Sequence, residues 1–437
     1  MNRILPTFLL ILMAVIRLPA GEVRQLTLEN GMVVILKENH STPMVSSIVC
    51  VRAGSKFEDE SNNGFTHFLE HLLFDGTKSL DRIALNEGFK DHGGYINAFT
   101  QKDLTGYLFV IPSEFAEYAL QTQADQLFNS ILPESEFPKE RKIVIEEIKK
   151  DTDNPDYIAE TYFDSLIYSG SAYARPVLGY EAVISTIPRE EVLSYYQERY
   201  VPNNMIALFI GDFEIDQFAP LVNKYYGAPR AGSLPQFGAN RQPNPPYGSE
   251  ILSGKYPGTA TKIHIVYPAP MYNENDYYAF DMLTQILNSG EGSPLYKVLA
   301  GGDEPLVDDL SMYLESTADF ALLHFTASTN NPDNVQKIIV LANRVLSSLG
   351  ETPLDKSQLR RVVVKSKTDK IYLEEKLHYY GILQAPMLVN FGFGYIESYV
   401  DKLSRVEPKD IQRTAGKYFA DKKYLAMAVM PSSPEEN

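Results

Sequence analysis

The chain has 437 residues, 44% of them hydrophobic, with 56 acidic against 40 basic side chains and a formal net charge of −16. That size and apolar content can build two or three domains with ample cores. The acidic excess, without any basic tract, argues against a nucleic-acid ligand, and a single cysteine, Cys50, leaves no disulfide to staple the fold.

In chain order, residues 1–20 read as a secretory signal. Arg3 supplies a short positive start, residues 4–16 are almost wholly apolar, and Leu18-Pro19-Ala20 precedes Gly21 as a cleavage site. Cleavage would remove Arg3 and Arg17 and take the net charge from −16 to −18. A periplasmic or secreted protein is expected, or a membrane-anchored one if the segment stays, because Leu18 is not the small residue usual at that place. No later apolar stretch is long enough to span a bilayer.

Residues 25–37 alternate as strands around a turn at Asn30-Gly31, and residues 45–52 form another strand that ends at Gly54 and holds Cys50 as a small core residue. A helix follows with His67-Phe68-Leu69-Glu70-His71, the inverted order of the zincin motif. His67 and His71, at i and i+4, share a face and can converge on one ion, with Glu70 beside them. Phe65, Phe68, Leu69, Leu72 and Leu73 bury the rest of the helix. The alternative, two hydrogen-bonded core histidines, would bring a charge and two imidazoles into the core uncompensated.

Residues 96–100 and 105–111 read as paired strands, 114–128 as a helix and 138–150 as a second helix, limited by Pro155. A catalytic zinc site takes three protein ligands plus water, so a carboxylate is still needed. Glu140 and Glu147 lie seven apart on one face of the second helix, while Glu146 points about 100° away. One of the pair could ligate and the other support a histidine N–H; equally, the stretch alone could be a solvated helix face.

Residues 205–211 form a buried-strand pattern, after which 228–257 is rich in Pro, Gly, Asn and Ser and shows no period. Beyond it the chain repeats: residues 184–210 align without gaps on 403–429, an offset of 219 that pairs Val192 with Ile411 and Ala207 with Ala426. The expectation is an α+β protein of two homologous α/β sandwich domains, 22–230 and 253–432, joined by a linker at 231–252. Only the first carries the His-x-x-Glu-His run.

That run, followed by Phe74-Asp75-Gly76-Thr77, Gly94-Tyr95-Ile96-Asn97-Ala98-Phe99-Thr100, Glu140-Arg141 and Glu146-Glu147, resembles the pitrilysin family of zinc metallopeptidases, which includes insulin-degrading enzyme and the mitochondrial processing peptidase. The resemblance implies one zinc ion held by His67, His71 and Glu147, Glu70 as general base, Glu140 as the carboxylate behind a histidine ligand, and Asn97 and Ala98 on an edge strand that pairs with the backbone of an unfolded peptide. In the second half it also implies an Arg and a Tyr seven residues later, but those positions, after the matching segment 290–299, fall on Ala300 and Val307. No arginine occurs from 242 to 343. The implied protein is therefore the zinc-bearing half of a clamshell endopeptidase, with a homologous partner supplying the Arg and Tyr. A self-sufficient homodimer, a non-catalytic assembly subunit and a peptide-binding module are the alternatives.

Overall fold

The computed structural model describes residues 21–235, 242–352, 354–420 and 423–432; the expected signal segment lies outside them. The first half runs β1 (Val23–Thr27), β2 (Val33–Glu38), β3 (Met44–Val51), α1 (Phe65–Leu72), α2 (Arg82–Asp91), β4 (Tyr95–Thr100), β5 (Thr105–Pro112), α3 (Ala116–Asn129), α4 (Phe137–Thr152), α5 (Pro155–Ile167), α6 (Glu181–Thr186), α7 (Arg189–Arg199), β6 (Met205–Gly211) and α8 (Ile215–Tyr226). The second runs β7 (Ile251–Tyr256), β8 (Thr261–Pro268), α9 (Tyr277–Leu287), α10 (Pro294–Leu299), β9 (Asp309–Ser316), β10 (Ala321–Thr329), α11 (Val335–Ser348), α12 (Lys356–Glu375), α13 (Leu377–Phe391), α14 (Phe393–Leu403), α15 (Pro408–Phe419) and β11 (Leu425–Pro431).

Two mixed sheets result. The first has the order β1-β2-β6-β3-β5-β4 and the second β7-β11-β8-β10-β9, each with one parallel pair, β2 with β6 and β7 with β11. Without β1 the two orders are the same. The repeated stretch gives α7 and β6 in one half and α15 and β11 in the other, and both strands lie inside their sheets, where burial on two faces demands the continuous apolar runs seen in the sequence. The chain is thus α+β, with two like sheets and helices packed on them.

One expectation needs correcting. The stretch 228–257 was expected to lack regular structure, yet β7 begins at Ile251. Its sequence, ILSGKY, contains Ser and Gly and has little strand preference of its own; pairing along β11 holds it extended, an override of local propensity by tertiary context.

The halves are also interlocked. One face of the first sheet packs under α1, α3, α4, α7 and α8. Its other face, through Ile35, Ile48, Leu108 and Leu208, is covered by Leu377, Tyr380 and Leu388 of α13 and Phe393 of α14, from the second half. In return α5 of the first half lays Ala159, Phe163 and Ile167 against Val266, Leu322, Met427 and Val429 of the second sheet. Gly381 permits the close approach of α13, since a Cβ there would come within 2.8 Å of the Ile48 Cβ.

Candidate active site

Helix α1 starts without a side-chain cap of its own: its N-cap is Gly64, at φ 102°. Glu58, buried six residues earlier, takes that role. Its carboxylate accepts hydrogen bonds from the Gly64 N–H (2.8 Å), the Thr66 N–H (2.7 Å) and the Thr66 hydroxyl (2.6 Å), which places a negative group at the positive end of the helix. Phe65, Phe68, Leu69 and Leu72 anchor α1 in the core, and the Phe68 ring meets Phe137 of α4 at 5.0 Å between centroids. Helix α4 buries Phe137, Val144 and Ile148 on the facing side. Packing of these two apolar faces therefore brings the polar strips at their margin together.

There the nitrogen Nε2 of His67 lies 3.7 Å, and Nε2 of His71 3.6 Å, from the same Oε2 of Glu147. The imidazoles are 5.0 Å apart between centroids at 75°, and the three donor atoms fall within 4.8 Å of one another. Ligands about 2.0–2.2 Å from a tetrahedral zinc ion stand about 3.3–3.6 Å apart, so the separations fit one ion with slight contraction. Glu146 points elsewhere: its carboxylate pairs with Lys149 at 3.2 Å and is 75% exposed.

On the far side of His71, Nδ1 is 3.4 Å from Oε2 of the buried Glu140. The other oxygen of Glu140 accepts a hydrogen bond from Arg82 Nη1 at 2.6 Å, and the same nitrogen donates to Asp75 at 2.6 Å. Glu70 is held from the sheet: the Thr100 hydroxyl, at the end of β4, donates to its Oε2 at 2.5 Å.

The electrostatics follow from burial. Burial, helped by neighbouring His71, pushes the His67 imidazole down to about 3, so it stays neutral with a lone pair to offer. His71 is also penalised by burial, but its hydrogen bond to Glu140 and the charges of Glu70 and Glu147 outweigh this and raise its pKa. Burial, with Glu147 adding, raises Glu70 above the usual carboxylate range against the opposing Thr100 bond. Glu140 is lowered, chiefly by its hydrogen bond with His71. Three carboxylates around two imidazoles make a place for a cation.

Asn97, exposed, and Ala98, buried, lie on β4, which pairs with β5 on one side and is the outer strand of its sheet. In the second half, Val307 is buried in the apolar core and Ala300 ends α10; neither offers a cation or a phenol. Tyr313, on the outer strand β9, stacks on His324 at 4.7 Å.

Sequence reasoning passed over Thr100, Arg82 and Glu58 as site residues. Thr100 closes the 94–100 motif and could have been suspected from it. Arg82 and Glu58 sit eleven residues after and nine residues before the histidine pair, and no spacing rule singles them out.

The fold and donor set define a class: a two-sheet α+β protein whose first half presents two histidines and a glutamate to one point. Residues 33–181 match the family model "Insulinase (Peptidase family M16)", and residues 186–364 match "Peptidase M16 inactive domain". The chain belongs to this peptidase family, in its two-domain form. It is similar to the uncharacterized zinc protease YmxG of Bacillus subtilis, 26% identical over 77% of this chain and 81% of that protein. It is also similar to a probable mitochondrial-processing peptidase subunit beta of Schizosaccharomyces pombe, 25% identical over 92% of this chain and 90% of the relative. The structure overlays that of a protease from Helicobacter pylori with a TM-score of 0.83 at 23% identity, covering 94% of this chain and all of that one. Among the described residues no helix is long and apolar enough to cross a membrane.

Proposed function

We propose that the chain is a zinc-dependent endopeptidase acting on unfolded peptides, and the catalytic half of a two-subunit enzyme. The observation that carries this reading is the convergence of His67, His71 and Glu147 on one point with the carboxylate of Glu70 on the same helix turn. These three residues would hold the zinc, which when bound supplies an acidified water and a polarised carbonyl.

The chain's own residues do the remainder. Glu70 accepts the proton of the attacking water and returns it to the leaving amine, and its raised pKa suits it to both transfers. Thr100 fixes the direction of that carboxylate. Glu140, itself held by Arg82, orients the His71 ring through Nδ1. Asn97 and Ala98 offer a free strand edge on which an extended peptide adds as a further strand, so affinity comes from main-chain hydrogen bonds and folded substrates are poor ones. Because Thr100 closes the same strand, the bound peptide runs beside Glu70.

The partner half is inferred from what positions 300 and 307 hold. An oxyanion-side donor typically contributes about a hundredfold or more in rate, and Ala300 and Val307 supply none. The relative named as a subunit beta supports a two-chain arrangement, and the signal-like residues 1–20 support work in the periplasm or outside the cell. The test is cleavage of a quenched fluorescent unstructured peptide by the purified chain, alone and with a homologous chain carrying Arg and Tyr, with zinc content recorded and Glu70→Gln as the blank. Cleavage only with the partner, abolished in Glu70→Gln, is expected. Full activity of the lone chain would overturn the two-subunit reading, and a zinc-loaded complex that never cleaves would overturn the peptidase.

A further inference from the structure

A cavity of about 430 Å³ opens between α9, α12, α13, α14 and the edge strand β9, and no residue lining it belongs to the site on α1 and α4. Its volume is that of an ordinary small-ligand pocket. Asp281 of α9, half-buried, lines it. Oδ2 of this carboxylate accepts a short hydrogen bond from the Tyr399 hydroxyl and another from Gln285 Nε2 at 3.3 Å, and Gln285 also reaches the Tyr399 oxygen at 2.8 Å. Tyr277 and Tyr395 join the wall with their hydroxyls 2.9 Å apart, and the Tyr395 and Tyr399 rings are 5.7 Å apart.

The charges around the cavity are unequal. Asp281, Asp369 and Glu374 line it against one cation, Lys370. Glu374 is matched by Lys37 at 2.8 Å and Asp369 by Lys365 at 2.5 Å, while Lys370 turns to Glu397 at 3.5 Å. Among the described residues no ion pair is made by Asp281. Burial pushes its pKa up to about 6 against the Tyr399 and Gln285 hydrogen bonds, and the half-buried carboxyl facing the cavity has no counter-charge. Such a group is costly unless a cation reaches it.

We propose that this cavity is a binding site for a primary ammonium or guanidinium group on an alkyl stem. The cation would pair with Asp281 and lie against the faces of Tyr277, Tyr395 and Tyr399, where the ring quadrupoles attract it. Leu373, Met387 and Ile396 give the stem an apolar wall. The group can come from a lysine or arginine side chain of a peptide or from a free diamine, and the chemistry is the same for both.

Isothermal titration of the full chain separates them. The probes are 1,6-diaminohexane against 1,6-hexanediol, and an unstructured lysine-containing peptide against its norleucine counterpart. At least one charged probe should bind at least about tenfold more tightly than its neutral counterpart, and Asp281→Asn should lose that preference. An Asp281-dependent preference seen with the diamine alone assigns the site to free amines; one seen with the lysine peptide over its norleucine counterpart assigns it to basic side chains. Met387→Trp, which fills the cavity, should abolish diamine binding and the preference for the lysine over the norleucine peptide, while zinc content stays as it was. Equal binding of charged and neutral probes, unaltered binding by Asp281→Asn, or no binding of either charged probe would overturn the proposal. The binding readouts do not depend on catalysis, so the peptidase reading stands or falls separately.

Discussion

Arg82 is the residue whose loss should reveal most about how the site is held. One of its nitrogens lies 2.6 Å from both Asp75 and Glu140, whose side chains are 1% and 4% exposed. Arg82→Gln leaves two buried carboxylates side by side with no cation between them, which disfavours ionisation of both. Asp75, already pushed up to about 7 by burial and then by the charge of Glu140, takes a proton, and Glu140 loses the anchor that aims it at His71. Loss of a group that orients a metal ligand typically costs about 10–100-fold in affinity, or about 1.4–2.7 kcal/mol. Breaking a fully buried pair costs about 3–5 kcal/mol of stability. Because Arg82 is itself 49% exposed, solvent screening reduces this to about 1–3 kcal/mol. The sign of the pH dependence follows: a carboxyl raised above its free value is stabilising at low pH and loses that contribution as pH rises through its folded pKa. Without Arg82 that pKa climbs further, so the deficit should be larger at pH 8 than at pH 6, and adding Asp75→Asn should recover part of it. The assays are zinc competition against a chelator and urea unfolding of the metal-free protein at both pH values. A folded Arg82→Gln protein with undiminished zinc affinity, or an equal deficit at both pH values, would refute the reasoning.

Glu70→Gln should lower peptide cleavage by about 10²–10⁴-fold while zinc stoichiometry is unchanged; residual activity near the native level would place the base elsewhere. In the metal-free protein, the His67 pKa of about 3 against a free value near 6.5 makes stability fall as pH drops below 6.5. That amounts to at most about 2 kcal/mol between pH 7 and pH 5, and His67→Asn should flatten the slope of the urea midpoint with pH. Gly381→Val should push α13 off Ile48 and cost about 1–3 kcal/mol, read as a lower urea midpoint; an unchanged midpoint would show that α13 is not seated as described. Lys56→Met should speed hydrogen exchange of the amides of residues 97–100, and exchange at the native rate would show that Lys56 does not support β4.

Much of this was legible because two strong signals act locally. The i, i+4 histidines needed only a helix, and α1 is helical over Phe65–Leu72; the buried runs of 205–211 and 425–431 needed only to be interior strands. The carboxylate side was ambiguous, because a seven-residue spacing puts Glu140 and Glu147 on one face without saying what that face meets. The structure puts both beside α1, where Phe137 meets Phe68. What could not be read is what depends on packing between distant segments. Arg82 reaches Glu140 across 58 positions, β7 is extended because β11 holds it, and the crossing of α5 and α13 to the opposite sheets has no local signal at all.

That crossing gives the second half a role without metal ligands. The turn between β4 and β5 is fastened to it along two routes, one through Lys56 and Tyr173 and one through α5 of the first half. Lys56 Nζ binds Asp103 of the turn and reaches Asp319 of the second half at 2.9 Å, with the Tyr173 hydroxyl bridging the same two carboxylates at 2.8 Å each. Lys102, the neighbouring turn residue, pairs with Asp164 of α5 at 2.9 Å and lies over the Tyr168 ring at 3.9 Å. From there Tyr168 donates to Glu315 at 2.7 Å, and Glu315 meets His324, which meets His264 inside the second sheet. An outer strand has neighbours on one side only, and its position is otherwise set by β5 and the helix above it. Fixing its turn to a second, independently cored sheet restrains the free edge and, through Thr100 at the same end of the strand, the carboxylate of Glu70. A site that must hold its groups to a fraction of an ångström gains more from such a buttress than from further ligands, which gives the half without the metal-binding run a structural part in the site.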